Sequence, residues 1–519
     1  MLFNSYEFIF LFLPITVIGF YLIRQRSKNG AICWLGLASL FFYGYWSLYS
    51  LPILVLSIIV NYWLGTKIGD IEFRYRKMVL VGSVILNLFL LGYYKYADFF
   101  ILNTNQLLIF MGGEPLDLLN VMLPIGISFF TFTQISFLID SYQGRATDKS
   151  FFNYVLFVTF FPHLIAGPLL HHRQMMPQFM SDDVGKVSLK KIQLAVSLFS
   201  IGLAKKILIA DSIGVYADMF FIELESGMIP HFFISWLGSF AYTFQLYFDF
   251  SGYTDMALGL ALFLGIILPI NFNSPFKSTS IIDFWQRWHM SLTKYIGEYL
   301  YTPITLKFMR ISQNKNILMK YLLSLVIPTI LIFTIIGFWH GASWTFIIFG
   351  FMHGCYVVIN HLWRNNSNFI KRWRYRSHLC SYLERLIGWV LTIMAVNISF
   401  VIFRAENITT AIEVYKGMFG LNGIILPNFL NPFFGELPSL ETWLQIPLGD
   451  SKNFLALILI SFIIILGLPS ASKLADNFNA EGHKNKLLNQ RYMQIFLGII
   501  FAFSLMNFNK TTSFLYFQF

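Results

Sequence analysis

A single histidine interrupts one of the most apolar stretches of the chain. His340 lies in the run IIGFWHGASWTFIIFG, residues 335–350, and the nearest charged residues in sequence are Lys320 and Arg364. An imidazole titrates close to neutrality, so it can accept a proton there or hold a substrate hydroxyl through one ring nitrogen. The residue types leave two interpretations open: a proton-handling histidine beside the Trp339 indole, or a core histidine bonded to a neighbouring helix.

A second cluster of polar and aromatic residues is DFWQRWH, residues 283–289. If this segment is helical, Asp283 and Arg287 lie at i and i+4 and form an ion pair, with Trp285 and His289 turned elsewhere. The pattern is also typical of an amphipathic helix at the membrane interface, with Trp and Arg at the level of the lipid headgroups.

A third cluster is the polar segment YTFQLYFDFSGYTDMALG, residues 242–259, in which Gly252 permits a break in a helix. Asp249 is predicted to face an internal cavity or a cation partner, or to be a structural acid within a satisfied network. The next segment, PINFNSPF at 269–276, contains two prolines, which predicts irregular backbone shielded by protein.

The composition of the chain requires these side chains to be positioned by membrane helices. Hydrophobic residues make up 56% of the 519 residues and charged residues only 12%. Apolar runs of roughly 16 to 22 residues are long enough to cross a bilayer as helices, although short or proline-broken runs can be re-entrant. The predicted fold is therefore an all-α polytopic integral membrane protein. The candidate runs are 8–23, 31–49, 51–66, 79–94, 119–139, 151–166, 192–210, 231–248, 256–270, 321–345, 346–363, 384–403, 454–470 and 493–507.

Charges around the first run predict an orientation. Arg24, Arg26 and Lys28 follow the run and no basic region precedes it, so it is not typical of a cleavable signal peptide. The positive-inside rule then places the N-terminus outside the cytoplasm. The net charge of +11 is explained by this bias and by contact with anionic lipid, and no motif for binding nucleic acid accompanies it. Neither the three cysteines nor the spacing of His340, His353 and His361 indicates a metal site.

Seven motifs occur in an order that resembles the membrane-bound O-acyltransferase family, most of all its bacterial alginate O-acetylation branch. The resemblance covers essentially the whole chain. One departure is TPITLKFMRISQNKN after EYLY, where many relatives have PLGG, so the acceptor polymer is left open. The motifs are LPIGISFFTFTQISFLIDSY (123–142), FFPHLIAGPLLHHRQMMPQF (160–179), YFDFSGYTDMALG (247–259), INFNSPF (270–276), DFWQRWHMSLTKYIGEYLYTPI (283–304), GFWHGASW (337–344) and the ending FLYFQF (514–519).

The resemblance implies a fold and a site. The fold would be a bundle of about 11 or more transmembrane helices, with re-entrant or interfacial helices, around a central tunnel. It would form a single domain, 1–519, with a motif-rich core at about 119–363 and C-terminal apolar segments at 384–519. His340 would be the general base acting on an acceptor hydroxyl that attacks an acyl thioester, and His289 would be the second functional histidine. The supporting or tunnel-lining residues would be Asp249, Asp283, Trp285, Arg287 and Trp339, with no metal.

The resemblance also implies reactants and a location. We expect no tightly bound cofactor, a cytoplasmic acyl thioester (acetyl-CoA or an acyl carrier) as donor, and an extracytoplasmic glycan or a partner acetyltransferase as acceptor. The location would be the bacterial inner membrane. Two alternatives are a D-alanyl transfer subunit for teichoic acid and a secondary transporter that uses His340 and Asp249 as a proton relay. The transporter predicts inverted internal repeats, which the sequence does not display.

Overall fold

The computed structural model describes most of the chain, and all regular structure in the described part is helical. The motif FLYFQF lies outside the described residues apart from Phe514 and Leu515. The described residues are 1–146, 148, 150–186, 188–366, 378–424, 451–471, 473, 491–508, 512, 514 and 515.

Several described helices are long and apolar enough to cross a bilayer, which confirms the prediction of an all-α, multi-span membrane protein. Shorter apolar helices cover Phe8–Arg24, Asn453–Gly467 and Arg491–Met506. The full number of spans stays a prediction. The six long helices are Leu51–Gly69, Arg76–Phe110, Leu189–Glu225, Ile317–His340, Trp344–Arg364 and Leu379–Arg404.

The chain forms two compact units, and the first comprises Met1–Leu203, Gly252–Asn271 and Leu474–Phe519. The prediction of one domain over 1–519 stays a prediction. The helices of the first unit are α1 (Leu13–Arg24), α2 (Lys28–Trp46), α3 (Leu51–Gly69), α4 (Arg76–Leu91), α5 (Ala97–Phe110), α6 (Ile127–Tyr142), α7 (Phe151–Thr159), α8 (His172–Met180), nearly all of α9 (Leu189–Ala204) and α21 (Arg491–Met506).

Buried amides join three of these helices. The Gln134 Oε1 of α6 accepts hydrogen bonds from Ser57 Oγ at 2.7 Å and Asn61 Nδ2 at 2.6 Å, both on α3. Asn87 Nδ2 of α4 donates to Asn61 Oδ1 at 2.6 Å. Lipid tails are as apolar as the surfaces of membrane helices, so the hydrophobic effect does not select which helices pair. Hydrogen bonds of this kind help to select the pairs.

Several predicted spans differ from the structure. The run 119–139 is helical only from Ile127, because Pro124 and the left-handed Gly126 (φ +71°) precede the helix. The run 151–166 is helical only to Thr159, and residues 160–171 then continue as buried irregular backbone. The runs 231–248 and 256–270 prove to be parts of one helix, α11 (Phe232–Phe263).

The helix break that Gly252 would permit does not occur, because α11 passes through this residue without interruption. Gly252 is instead a point of close packing against Gly202 of α9. A Cβ on Gly202 of α9 would lie 2.5 Å from the Gly252 carbonyl oxygen and 2.7 Å from the Met256 amide nitrogen. Glycine at 202 thus lets the backbones of two helices touch.

The second unit comprises Ala204–Ser251 and Phe272–Lys473, and it holds every site residue predicted above. Its helices are α10 (Asp211–Glu225), α11 up to Ser251, α12 (Ile281–Trp285), α13 (Met290–Ile296), α14 (Thr302–Ser312), α15 (Ile317–Tyr321), α16 (Ile327–His340), α17 (Trp344–Asn366), α18 (His378–Arg404), α19 (Ile408–Met418) and α20 (Ser451–Gly467), with π-helical turns at Lys205–Ala210, Gly297–Tyr301 and Leu322–Val326.

Helices α16 and α17 form a hairpin whose backbones touch through two glycines. A Cβ on Gly337 would lie 2.8 Å from the Gly350 Cα and would meet the Phe346 carbonyl oxygen. A Cβ on Gly350 would meet the Phe333 carbonyl oxygen. Small residues at such a crossing allow close van der Waals packing in the absence of a hydrophobic driving force.

We expect Gly350→Val to prevent this hairpin from closing, because the new side chain would overlap backbone atoms that cannot rotate away. The yield of monodisperse protein in detergent, measured by fluorescence-detected size exclusion, should fall several-fold. Gly82→Val is the matched control, since a Cβ on this glycine of α4 meets no atom within 4 Å. Normal yield from Gly350→Val would contradict the packing argument.

Candidate active site

His340 is the last residue of α16, and the chain reverses directly after it. Gly341 is extended (φ −163°), residues 341–343 are not helical, and α17 begins at Trp344. The predicted boundary between the runs 321–345 and 346–363 is thus a few residues too late. A Cβ on Gly341 would overlap the Phe346 ring, so the turn needs a glycine at the position where it passes this ring. His340 consequently lies at a helix end, directly before the turn between α16 and α17.

Aromatic rings surround the His340 imidazole. Its centroid lies 5.4 Å from that of Phe403 on α18 and 6.3 Å from that of Phe349 on α17, both edge to face. The neighbouring Trp339 ring lies 4.8 Å away. The His340 side chain is buried, with 8% of its surface exposed. An apolar, water-poor setting of this kind suits chemistry on a hydrolysable acyl donor.

The segment that carries His289 is only partly helical. Helix α12 begins after Ser280, whose Oγ accepts from the Asp283 amide, and ends at Trp285. The predicted ion pair is confirmed, with 2.7 Å between Arg287 Nε and Asp283 Oδ1. The alternative of an amphipathic interfacial helix over 283–289 is wrong, because α12 ends before the segment does.

Two motifs that are separate in sequence meet at Arg287. The Asn273 amide donates to the Arg287 carbonyl oxygen at 3.0 Å, and the Arg287 guanidinium donates back to the Asn273 carbonyl at 3.5 Å. The motif INFNSPF therefore supplies irregular backbone, as predicted, and that backbone holds the turn before His289.

His289 adopts a left-handed backbone conformation (φ +45°, ψ +51°) between α12 and α13. Non-glycine residues rarely adopt this conformation, although histidine does so more often than most, and it tends to persist where surrounding contacts enforce it. The ring lies edge to face with Phe250 of α11 at 4.9 Å, and 1% of the residue is exposed. Burial lowers the pKa of His289 to about 3, so this imidazole is neutral near pH 7.

Asp249 has a cation partner, one of the alternatives that its sequence context left open. Lys206 Nζ lies 2.7 Å from Asp249 Oδ1 and 2.8 Å from Asp211 Oδ1, and all three side chains are at most 3% exposed. The sequence reasoning missed Lys206 and Asp211. The available signal was a lysine pair inside the apolar run 192–210, because a charge at membrane depth needs a partner.

A further missed residue is His353, which the sequence reasoning considered only as a metal ligand. Its Nδ1 accepts from the Trp285 indole N–H at 3.2 Å, and its Nε2 lies 2.8 Å from Ser399 Oγ. Within the part of the chain that the structure describes, no group of three His, Cys, Asp or Glu side chains has the geometry of a metal site.

One aromatic cluster connects the surroundings of the two predicted histidines. The Phe349 ring, which contacts His340, lies 6.1 Å from Phe400, and Phe400 lies 5.5 Å from Trp288, the residue before His289. Asp283, Trp285 and Arg287 belong to the same segment as His289. Asp249 lies one residue before Phe250, which contacts His289. The rings of His289, Trp285 and His340 thus belong to one connected set of aromatic contacts, whereas the Asp249 carboxylate binds Lys206 and Asp283 pairs with Arg287.

Comparison with known proteins gives a family and several relatives. The model of the MBOAT family, membrane-bound O-acyltransferases, matches residues 41–401. A peptidoglycan O-acetyltransferase of Helicobacter pylori is 39% identical over 457 residues, which cover 82% of this chain and 81% of that protein. A probable alginate O-acetylase of Pseudomonas syringae pv. tomato is 38% identical over 426 residues, covering 81% and 75%.

A teichoic acid D-alanyltransferase shows a lower and shorter similarity. The protein of Streptococcus thermophilus is 28% identical over 291 residues, which cover 54% of this chain and 68% of that protein.

Proposed function

The chain belongs to the membrane-bound O-acyltransferase family, and we propose that this O-acyltransferase moves acetyl groups from a cytoplasmic thioester to a glycan of the cell envelope. The observation that carries the proposal is the buried His340 at the α16 end, enclosed by aromatic rings on α17 and α18. The site lies in the plasma membrane, which is the bacterial inner membrane, and the N-terminus faces away from the cytoplasm.

In this proposal His340 is the general base. One ring nitrogen accepts the proton of the acceptor hydroxyl as its oxygen attacks the thioester carbonyl carbon. The C–S bond breaks, the new ester forms, and the proton leaves with the thiol. The imidazole needs no permanent charge for this step, and its apolar surroundings keep water away from the thioester. His289 positions the reactants from the turn before α13.

The choice of a glycan acceptor is supported by the names of the relatives. The Helicobacter protein acts on peptidoglycan, and several similar proteins are probable alginate O-acetylases. Acetyl-CoA or an acetylated carrier would serve as donor, and a partner acetyltransferase on the outer side could complete the transfer. The alternative function, transfer of D-alanine to teichoic acid, is tested in a second arm of the experiment, because the teichoic acid enzyme matches about half of the chain.

The test follows labelled acyl groups in sealed membrane vesicles that contain the protein. Radiolabelled acetyl-CoA is supplied on the cytoplasmic side, with peptidoglycan or alginate on the other, and a second arm supplies D-alanyl carrier protein with teichoic acid. Ester-linked acetyl on a glycan, removable by mild base, is the expected result. Transfer of D-alanine alone, or no transfer in either arm, would overturn the proposal.

His289→Ala is expected to reduce acetyl transfer by about 10- to 100-fold, which is less than the loss expected on removing the base. The reason is that His289 positions reactants, so a misplaced substrate still reacts slowly. Initial rates with purified protein in nanodiscs measure the effect, with His361→Ala on α17 as the control. A loss equal to that of His340→Ala would mean that the two histidines act as one unit.

A further inference from the structure

Three side chains form a hydrogen-bonded chain between α12, α17 and α18. The Trp285 indole has only a donor, so its bond to His353 Nδ1 makes this nitrogen the acceptor. A neutral His353 then carries its proton on Nε2 and donates to Ser399 Oγ at 2.8 Å. The Ser399 hydroxyl in turn donates to the Val396 carbonyl oxygen at 2.7 Å. Every donor in this chain has one acceptor, which defines a single tautomer of His353.

The elements that this chain joins contact or adjoin the two candidate functional histidines: α17 and α18 contact His340, and α12 leads to His289. On α17, Phe349 lies one turn before His353, with ring centroids 4.7 Å apart, and it also contacts His340. On α18, Ser399 lies one turn before Phe403, which contacts His340 from the other side.

The third element is the turn that leads to His289. Trp285 is the last residue of α12, and its indole is held by His353. Its main-chain carbonyl accepts from Thr293 Oγ1 at 3.2 Å, so the backbone from Trp285 to Thr293 is closed into a loop. His289 lies inside this loop in its left-handed conformation. A change in the position of Trp285 would therefore move His289.

We propose that His353 is a positioning residue for acyl transfer, holding α12, α17 and α18 so that His340 and His289 keep their relative placement. The inference rests on the proposed function of these two histidines. His353 is 1% exposed and buried among Trp285, Phe349 and Tyr356, with both ring nitrogens engaged, so it acts through other residues and not on the substrate. Fully satisfied buried networks of this kind make an arrangement rigid and unique.

The chemistry allows a decisive pair of substitutions. His353→Leu keeps the volume and removes both hydrogen bonds, whereas His353→Gln keeps one acceptor for the Trp285 N–H and one donor for Ser399. We expect His353→Leu to lower kcat by about 10- to 100-fold at an unchanged KM for the donor. His353→Gln should recover most of the activity, with the same acidic limb in its kcat–pH profile.

The experiment measures kcat, KM and the pH profile in nanodiscs for these two variants, for Trp285→Phe and for the Trp285→Phe/His353→Leu double variant. Trp285→Phe removes the indole N–H together with part of the ring, so the loss in the double variant should be smaller than the product of the two single losses if these side chains act through their hydrogen bond. His361→Leu, on the same helix two turns later, is the control. Full activity of His353→Leu, or an equally inactive His353→Gln, would overturn the proposal, the second result because it would require imidazole chemistry.

A second readout does not depend on turnover. In protein labelled with fluorotryptophan, the ¹⁹F resonance of Trp285 is assigned by its absence from Trp285→Phe. It should shift in His353→Leu and return in His353→Gln. An unchanged resonance in His353→Leu contradicts the positioning role, whereas inactivity of the wild-type protein with every donor contradicts the proposed function instead.

Discussion

The His340→Ala variant is expected to lose acetyl transfer by about 10³-fold while it remains folded, because the proposed mechanism uses this side chain as the proton acceptor. The hairpin that carries His340 is held by the close backbone approach at Gly337 and Gly350, and this contact does not need the imidazole. We therefore expect donor binding and thermal unfolding in detergent to change little. The residual rate should equal that of a site that only brings the two reactants together.

The measurement is the initial rate of acetyl transfer in nanodiscs, together with the pH dependence of kcat. Wild-type protein should show an acidic limb in which activity falls as the base becomes protonated, and this limb should be absent from the residual rate of His340→Ala. His361→Ala controls for the loss of a histidine from the adjacent helix. A variant that keeps its transfer rate would exclude His340 as the base, and one that fails to fold would favour a structural role.

Sequence patterns predict structural features that depend on residues close together in the chain. The helical, multi-span fold follows from the apolar runs, and the Asp283–Arg287 pair follows from i,i+4 spacing. Family motifs put forward His340 and His289 as functional residues, and these roles stay predictions. The isolated position of His340 in an apolar run would have marked it as a candidate even without them.

Features that depend on distant parts of the chain were not predictable from one sequence. Lys206 and Asp249 are 43 residues apart, and only the packing of α11 beside α10 brings them together. His353 meets Ser399 across 46 residues. The end of α16 at His340 was placed too late, because the turn at Gly341 depends on where the Phe346 ring packs. Helix periodicity carries no information about such contacts.

Lys206→Met is the second substitution for which we expect a large effect, here on stability. It leaves Asp211 and Asp249 as buried carboxylates without their shared ammonium partner, and removing one member of a buried ion pair typically costs 3 to about 5 kcal/mol. The yield of folded protein and its unfolding temperature should both fall strongly. Lys205→Met is the matched control, since this neighbour in the same π-helical turn is only half-buried.

A triple variant that removes all three charges distinguishes the effect of charge balance on stability from the effect of side-chain packing. In Lys206→Met/Asp211→Asn/Asp249→Asn the volumes are nearly kept and no charge remains, so most of the lost stability should return if electrostatics governs the site. The triad lies next to a residue that contacts His289, because Asp249 precedes Phe250 on α11 and the Phe250 ring lies 4.9 Å from the His289 ring. A folded triple variant with nearly normal transfer would assign the triad to stability alone. A folded but inactive triple variant would show that α11 must be anchored by charge to hold His289 in place.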